Sequence, residues 1–132
     1  EAMIELFHGY TYSGHPVACA AGLATLDIYQ REKLLTRGAS LEKEWEDALH
    51  SLRDCPNVVD IRNLGIIGAI ELAPREGGEV SRAYEAMVGL FEAGVLMRYT
   101  GDTLALSPPL ILESEHIGRI VDTTRKVLSG IS

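Results

Sequence analysis

Residues 57–72, NVVDIRNLGIIGAIEL, decide the fold class of this chain. Valine and isoleucine dominate the stretch, and β-branched residues of this kind favour an extended backbone. Gly65 and Gly68 break the apolar run. We therefore predict two strands here, over Val58–Arg62 and Ile66–Leu72, in a chain that otherwise shows helical periodicity.

Two helices are predicted before these strands. Pro16 suits a first helical turn, because its fixed φ is helical and its missing N–H would have no partner there. Small residues follow Val17 at helical spacing, which predicts that this end is buried against a neighbour. A second helix is expected after Gly38, with Pro56 ending it. Its predicted core stripe is Leu41, Trp45, Ala48, Leu49 and Leu52.

A helix, a hairpin and a last helix are predicted after the strands. Gly94 should occupy the C′ position of the third helix, whose predicted apolar side is Tyr84, Met87, Val88 and Phe91. VLMR (95–98) and TLALS (103–107), joined by YTGD, predict a β-hairpin with Arg98 near its tip or one end. Ser114 can cap the last helix. Its predicted apolar face is Ile117, Ile120, Val121, Thr124 and Leu128.

The predicted order αα-ββ-α-ββ-α indicates helices around a small, mostly antiparallel sheet, an α/β (α+β) fold. The length of 132 residues fits one compact domain.

Composition argues against several function classes. The formal net charge is −7, and the twelve basic residues are scattered, which disfavours nucleic acid as a partner. The apolar runs fall short of the roughly 20 residues that a membrane span needs, and no signal-peptide layout is present. We expect a soluble, cytoplasmic protein. Cys19 and Cys55 lack metal-ligand spacing and are expected to be reduced thiols.

The chain carries no stand-alone catalytic motif. It has no phosphate-binding G-x-x-x-x-G-K loop, no G-x-S-x-G elbow and no histidine pair spaced for a metal. Lys33, Lys43 and Lys126 each fall on the polar side of a predicted helix, unlike a desolvated nucleophile. We therefore assign no catalytic residue and no metal ligand within the chain.

Two features remain as candidate sites. Thr11 and Ser13 lie just ahead of a predicted helix, where hydroxyls commonly cap; the same helix end could instead hold a phosphate or carboxylate. Arg98 could bind a carboxylate through two parallel hydrogen bonds, or pair with one of nineteen acidic side chains. Tyr10, Tyr12 and Tyr99 cluster around these features and suggest an aromatic wall.

Residues 5–29, ELFHGYTYSGHPVACAAGLATLDIY, and 94–111, GVLMRYTGDTLALSPPLI, closely resemble the C-terminal part of class III aminotransferases that depend on pyridoxal phosphate. HGYTYSGHP favours the ω-amino acid:pyruvate (β-alanine:pyruvate) branch over the ornithine and acetylornithine enzymes. The resemblance implies the small C-terminal domain of a fold type I transferase. It divides the chain into an interface loop with a linking helix, 1–36, and a small α/β domain, 37–132.

The resemblance also implies a role for each candidate residue. Tyr10 and Thr11 match the residues that reach across a dimer interface and hold the phosphate of the partner's cofactor. Arg98 matches a mobile arginine that pairs with a substrate carboxylate and moves aside for uncharged side chains. In the family, the lysine that forms the Schiff base, the acidic residue under the pyridine nitrogen and the stacking aromatic all lie N-terminal to this segment.

The implied activity is ping-pong transamination from an ω-amino acid or amine to pyruvate, by a homodimer or homotetramer. Because the chain begins with Glu1 in mid-pattern, we expect a fragment. We expect this fragment to be inactive alone, because the resemblance places the Schiff-base lysine outside it. The alternative hypothesis is a non-enzymatic α/β protein-interaction module that associates through its small-residue helix.

Overall fold

The computed structural model describes residues 8–75, 77 and 80–132. The chain divides into two compact units, Glu1–Leu34 and Leu35–Ser132. Helix α1, Pro16–Arg31, belongs to the first unit and begins at the predicted proline. No residue of α1 is buried, and the neighbour expected at its small-residue half stays a prediction.

Helix α2 spans Leu34–His50 and is followed by a single 3-10 turn, Ser51–Asp54. The predicted start after Gly38 is wrong. Lys33, with a left-handed φ of +52°, marks the break before the helix. Gly38 lies inside it, where Leu110 Cδ2 would be 3.0 Å from an added Cβ. The predicted core stripe is confirmed at its centre, since Trp45, Leu49 and Leu52 are fully buried.

Four antiparallel strands form one sheet in the order β1-β2-β4-β3. The strands are β1 Val58–Leu64, β2 Ile67–Leu72, β3 Arg98–Thr100 and β4 Thr103–Leu106. Both strands predicted in residues 57–72 are confirmed, and β1 runs two residues further than expected. The turn between them contains Gly65, whose φ of +57° suits glycine.

Helix α3, Arg82–Glu92, turns a face toward the core that only partly matches the predicted one, in which Met87 packs against the core and is partly buried. Its buried residues are Ala83, Ala86 and Leu90, whereas Tyr84 and Phe91 are exposed. The alanine side chains face the core because their small size lets the helix approach its neighbours closely. At Gly89, for example, an added Cβ would lie 3.1 Å from Val127.

The predicted end of α3 is confirmed at Gly94. This residue has a φ of +83°; its N–H donates to Phe91 O over 3.0 Å and the N–H of Val95 donates to Leu90 O over 2.8 Å. These two bonds are those of a Schellman motif, which requires a left-handed residue at C′.

Helix α4 spans Ser114–Leu128, and its cap is Glu113 rather than the predicted Ser114. The Glu113 N–H donates to His116 Nδ1 over 3.2 Å, so the histidine closes the first turn from inside the helix. The predicted apolar face is confirmed, with these residues buried: Ile117, Val121, Thr124 and Leu128.

The core lies between the helices of the second unit and one face of the sheet. Ile61, Ile70 and Leu104 are paired across the strands and buried in the same cluster as Trp45 and Leu90. The predicted fold class, helices packed on a small antiparallel sheet, is thereby confirmed. Within the described ranges, no helix has both the length and the apolar character needed to cross a membrane.

Candidate functional site

One row of side chains crosses the sheet on the face that the helices leave open. Arg62 pairs with Ala69, Ala69 with Ala105, and Ala105 with Arg98. Residues directly opposite each other project from the same face of a sheet. The two arginines therefore stand at opposite ends of one row, three strand spacings or roughly 14 Å apart, with only alanine methyl groups between them.

Arg62 forms ion pairs with two acidic neighbours. Its Nη1 donates to Asp60 Oδ2 and Glu71 Oε2, each over 2.7 Å. These hydrogen bonds, the one to Glu71 first, raise the pKa of Arg62. The charge at this end of the row is therefore matched within the fold.

Arg98, at the other end, is exposed, and its side chain forms no hydrogen bond or ion pair with any residue that the structure describes. The alternative raised from the sequence, an ion pair between Arg98 and an acidic side chain of the chain itself, is not formed with those residues. A guanidinium presents a fork of donors that matches a carboxylate. This end of the row can thus accept an anion from outside the described chain.

The predicted hairpin positions this arginine. Thr100 pairs with Thr103 around a two-residue turn, in which Gly101 has a φ of +56°. Arg98 pairs with Ala105 at the end of β3 away from the turn. The hairpin prediction is confirmed, although residues 95–97 lie before the strand rather than in it.

A tight turn carries Tyr10 and Thr11 in the first unit. The Ser13 N–H donates to Tyr10 O over 2.9 Å, and the Tyr10 N–H donates to Ser13 Oγ over 2.8 Å. Thr11 lies between these residues and is exposed, and the Tyr10 side chain is 76% exposed. The turn is thus closed by its own bonds, and both residues project to solvent.

The cap of α1 is neither of the expected hydroxyls. His15 is the N-cap residue, and its Nδ1 accepts from the Ala18 N–H over 3.4 Å. Ser13 is used within the turn, and the Thr11 hydroxyl has no hydrogen-bond partner among residues 8–75, 77 and 80–132. The Thr11 hydroxyl is thus available to donate to a group outside the described chain.

The aromatic residues form separate pairs rather than one wall. In the first unit, Tyr10 stacks edge-on with His8 at 5.5 Å and Tyr12 with His15 at 6.1 Å. In the second unit, Tyr99 stacks edge-on with Tyr84 at 5.4 Å. The sequence had predicted Tyr84 on the core side of its helix.

Ser81 is the N-cap of α3, a role that was not predicted from the sequence. Its position directly before a helical pattern is the signal that could have identified it.

A cavity of about 460 Å³ lies beside the hairpin in the second unit. Its lining is mostly apolar and includes Trp45, Met97 and Leu112, while His116 and Arg119 add polar groups. Arg98 does not line it, so the cavity and the open face of the sheet are separate features.

Both cysteines are free thiols, Cys19 exposed and Cys55 buried. In the described part of the chain, no cluster of histidine, cysteine and acidic residues could hold a metal ion.

Comparison with known proteins identifies the family. Residues 1–128 match the family model described as aminotransferase class-III. The chain belongs to the class-III aminotransferase family. This aminotransferase chain is 57% identical over 131 residues to an omega-aminotransferase of Caulobacter vibrioides. It is 46% identical over 132 residues to a beta-alanine–pyruvate aminotransferase of Pseudomonas aeruginosa. The resemblance drawn from its two motifs is thereby confirmed.

The alignments cover 99% and 100% of this aminotransferase chain but 30% of each relative, so the chain spans about 30% of their length. Solved structures show the same relation. A thermostable omega transaminase variant from Pseudomonas jessenii matches 96% of the chain with a TM-score of 0.83 and 34% identity. A PMP-bound aminotransferase from Vibrio fluvialis matches 96% of it with a TM-score of 0.83 and 28% identity. The chain covers 30% and 29% of these structures.

Proposed function

We propose that this chain is part of a pyridoxal-phosphate-dependent enzyme that moves an amino group from an ω-amino acid or amine to pyruvate. The observation that carries the proposal is the exposed guanidinium of Arg98, which pairs with none of the described residues, in a chain 57% identical to an omega-aminotransferase. Family membership favours this activity over the interaction module considered from the sequence.

Arg98 is the proposed binding residue for the carboxylate of the amino donor. Its fork of donors gives two charge-assisted hydrogen bonds to a carboxylate, a geometry that a lysine lacks. Because no described residue holds the side chain in place, it can turn away when the donor has no carboxylate. The neighbouring Ala105 leaves space on the open face for either position.

Tyr10 and Thr11 are the proposed contacts to the phosphate of the cofactor. When bound, pyridoxal phosphate supplies the electron sink for amino-group transfer. The Thr11 hydroxyl can donate to a phosphate oxygen, and the bonds within the turn hold its backbone for that contact. In this proposal the contact crosses the interface of a homodimer or homotetramer in the cytoplasm. The remaining partners are the small-molecule amino donor and pyruvate.

The proposal is tested in the full-length enzyme that carries this segment, by Arg98→Ala. Loss of a charge pair that substrate binding encloses costs about 2 to 4 kcal/mol, so kcat/KM for β-alanine should fall by roughly 30-fold to 1,000-fold. The value for propylamine, which has no carboxylate, should change little.

Arg62→Ala is the matched control. It removes the same side chain from the same row, but from the end whose charge is paired within the fold. We expect it to affect both donors alike. Equal losses for both donors in Arg98→Ala would remove the assigned role of Arg98.

A further inference from the structure

The strand that carries Arg98 is short and lies at the edge of the sheet. β3 has three residues and, of the strands that the structure describes, pairs with β4 alone. So few ladder hydrogen bonds on one side hold a strand weakly. The position of Arg98 must therefore depend on contacts beyond the ladder.

Tyr99 provides one such contact. Its ring lies 5.4 Å from the ring of Tyr84 on α3, with an interplanar angle of 76°. This edge-to-face geometry is favourable for two aromatic rings. Successive side chains of a strand point to opposite faces, so Tyr99 anchors β3 from the helix side and leaves the face of Arg98 free.

Ser81 provides a second contact, at the turn of the same hairpin. Its hydroxyl accepts from the Tyr84 N–H over 3.2 Å and donates to the Gly101 carbonyl over 3.2 Å. The cap of α3 and the hairpin turn thus share one oxygen atom, which uses both its donor and its acceptor capacity. The same turn is also bonded to the neighbouring strand β2, because the Leu72 N–H donates to Asp102 O over 2.8 Å.

We propose that Ser81, the N-cap of α3, and Tyr84, in its first turn, are positioning residues that set the place of Arg98 for substrate carboxylates. This inference rests on the proposed function of Arg98 and assigns residues that act through it. Neither residue needs to touch the substrate. Tyr84 holds the strand through Tyr99, and Ser81 holds the turn through Gly101.

The test compares donors in the full-length enzyme, using the ratio of kcat/KM for β-alanine to that for propylamine. Tyr84→Ala should lower this ratio about threefold to tenfold, mainly through KM for β-alanine, as loss of an aromatic pair would predict. Tyr84→Phe keeps the ring and should restore the ratio to within about twofold of wild type. A role in stability alone would affect both donors equally.

A second pair of variants separates capping from tethering. Ser81→Asp keeps a side chain that caps well but has no donor for Gly101 O, and should lower the ratio. In Arg98→Ala/Tyr84→Ala, the ratio should fall no further than in Arg98→Ala, since Tyr84 acts through Arg98. Hydrogen exchange gives a readout independent of activity: the amides of 99–105 should exchange faster in Tyr84→Ala.

Two results would overturn the inference, and they differ in whether the proposed function of Arg98 survives. If Arg98→Ala lowers the ratio and Tyr84→Ala does not, Arg98 binds the carboxylate without help from α3, and the proposed function stands. If Arg98→Ala leaves the ratio unchanged, Arg98 has no carboxylate role, and the positioning proposal fails with it.

Discussion

Arg62 and Arg98 occupy the two ends of one cross-strand row, and only Arg62 has acidic partners among the described residues. The sheet therefore offers two arginine side chains on the same face, one paired with acidic residues of the fold and one available to an outside anion. This contrast allows the charge of Arg98 to be separated from its geometry.

Arg98→Lys keeps the charge but loses the fork of donors. We expect kcat/KM for β-alanine to fall by about tenfold, less than in Arg98→Ala, because a point charge replaces two parallel hydrogen bonds. Arg62→Lys should leave the donor preference unchanged. Steady-state kinetics with β-alanine and propylamine measures both, and wild-type kinetics in Arg98→Lys would contradict bidentate binding.

Thr11→Val tests the phosphate contact, since valine keeps the shape of threonine without its hydroxyl. A hydrogen bond to a charged group contributes about 1.5 to 3 kcal/mol, so the dissociation constant for pyridoxal phosphate should rise by roughly 10-fold to 150-fold. Equilibrium dialysis of the full-length enzyme measures this constant.

Thr25→Val is the matched control for Thr11→Val. It removes a hydroxyl that donates to Ala21 O within α1 and has no proposed cofactor contact. Its cofactor affinity should equal that of wild type. An unchanged affinity in Thr11→Val would exclude the hydroxyl as a phosphate ligand.

Periodic and conformational signals were predictable from the sequence. The spacing of apolar residues predicted the strands at 57–72, the stripe around Trp45 and the face of α4. The glycine at position 94 predicted the end of α3, because that position needs a left-handed φ. The start of α2 and the inner face of α3 were not predictable in this way. In α3, alanines took the core side because close helix packing outweighed the greater hydrophobicity of the aromatic residues.

The candidate site was predictable only where position and family resemblance limit the role. Arg98 was singled out at the end of a predicted hairpin strand and Thr11 just ahead of a predicted helix, and the resemblance assigned each its role. The pairing of Arg62 with Glu71 depends on strand register, and the contact of Tyr84 with Tyr99 depends on where α3 meets the hairpin. Neither relation can be obtained from local spacing.

Gly68→Ala should destabilise the fold. An added Cβ would lie 2.5 Å from Leu49 Cδ2 and 3.3 Å from Trp45 Nε1, so the packing under β2 would have to shift. Overpacking of this kind costs about 1 to 3 kcal/mol in the free energy of unfolding. Urea unfolding of this chain, followed by the fluorescence of its single tryptophan, measures the change.

Gly118→Ala is the matched glycine variant, in open space on the exposed side of α4. Here alanine should raise the free energy of unfolding by about 0.5 to 1 kcal/mol, because it has the higher helix propensity. Equal effects of the two variants would show that backbone entropy, rather than the contact with Leu49, decides the outcome at Gly68.

The chain alone should not catalyse transamination. A lysine that bonds covalently to the cofactor must lose its proton, which requires a lowered pKa. The hydrogen bond to Asp47, over 2.6 Å, instead raises the pKa of Lys43, the direction opposite to the one a nucleophilic lysine needs. Lys33 and Lys126 are exposed, so neither is enclosed in a pocket that could hold the cofactor. Incubation of the chain with pyridoxal phosphate, β-alanine and pyruvate should therefore yield no alanine by chromatography. Sustained turnover would contradict the expectation that catalysis needs residues outside this segment.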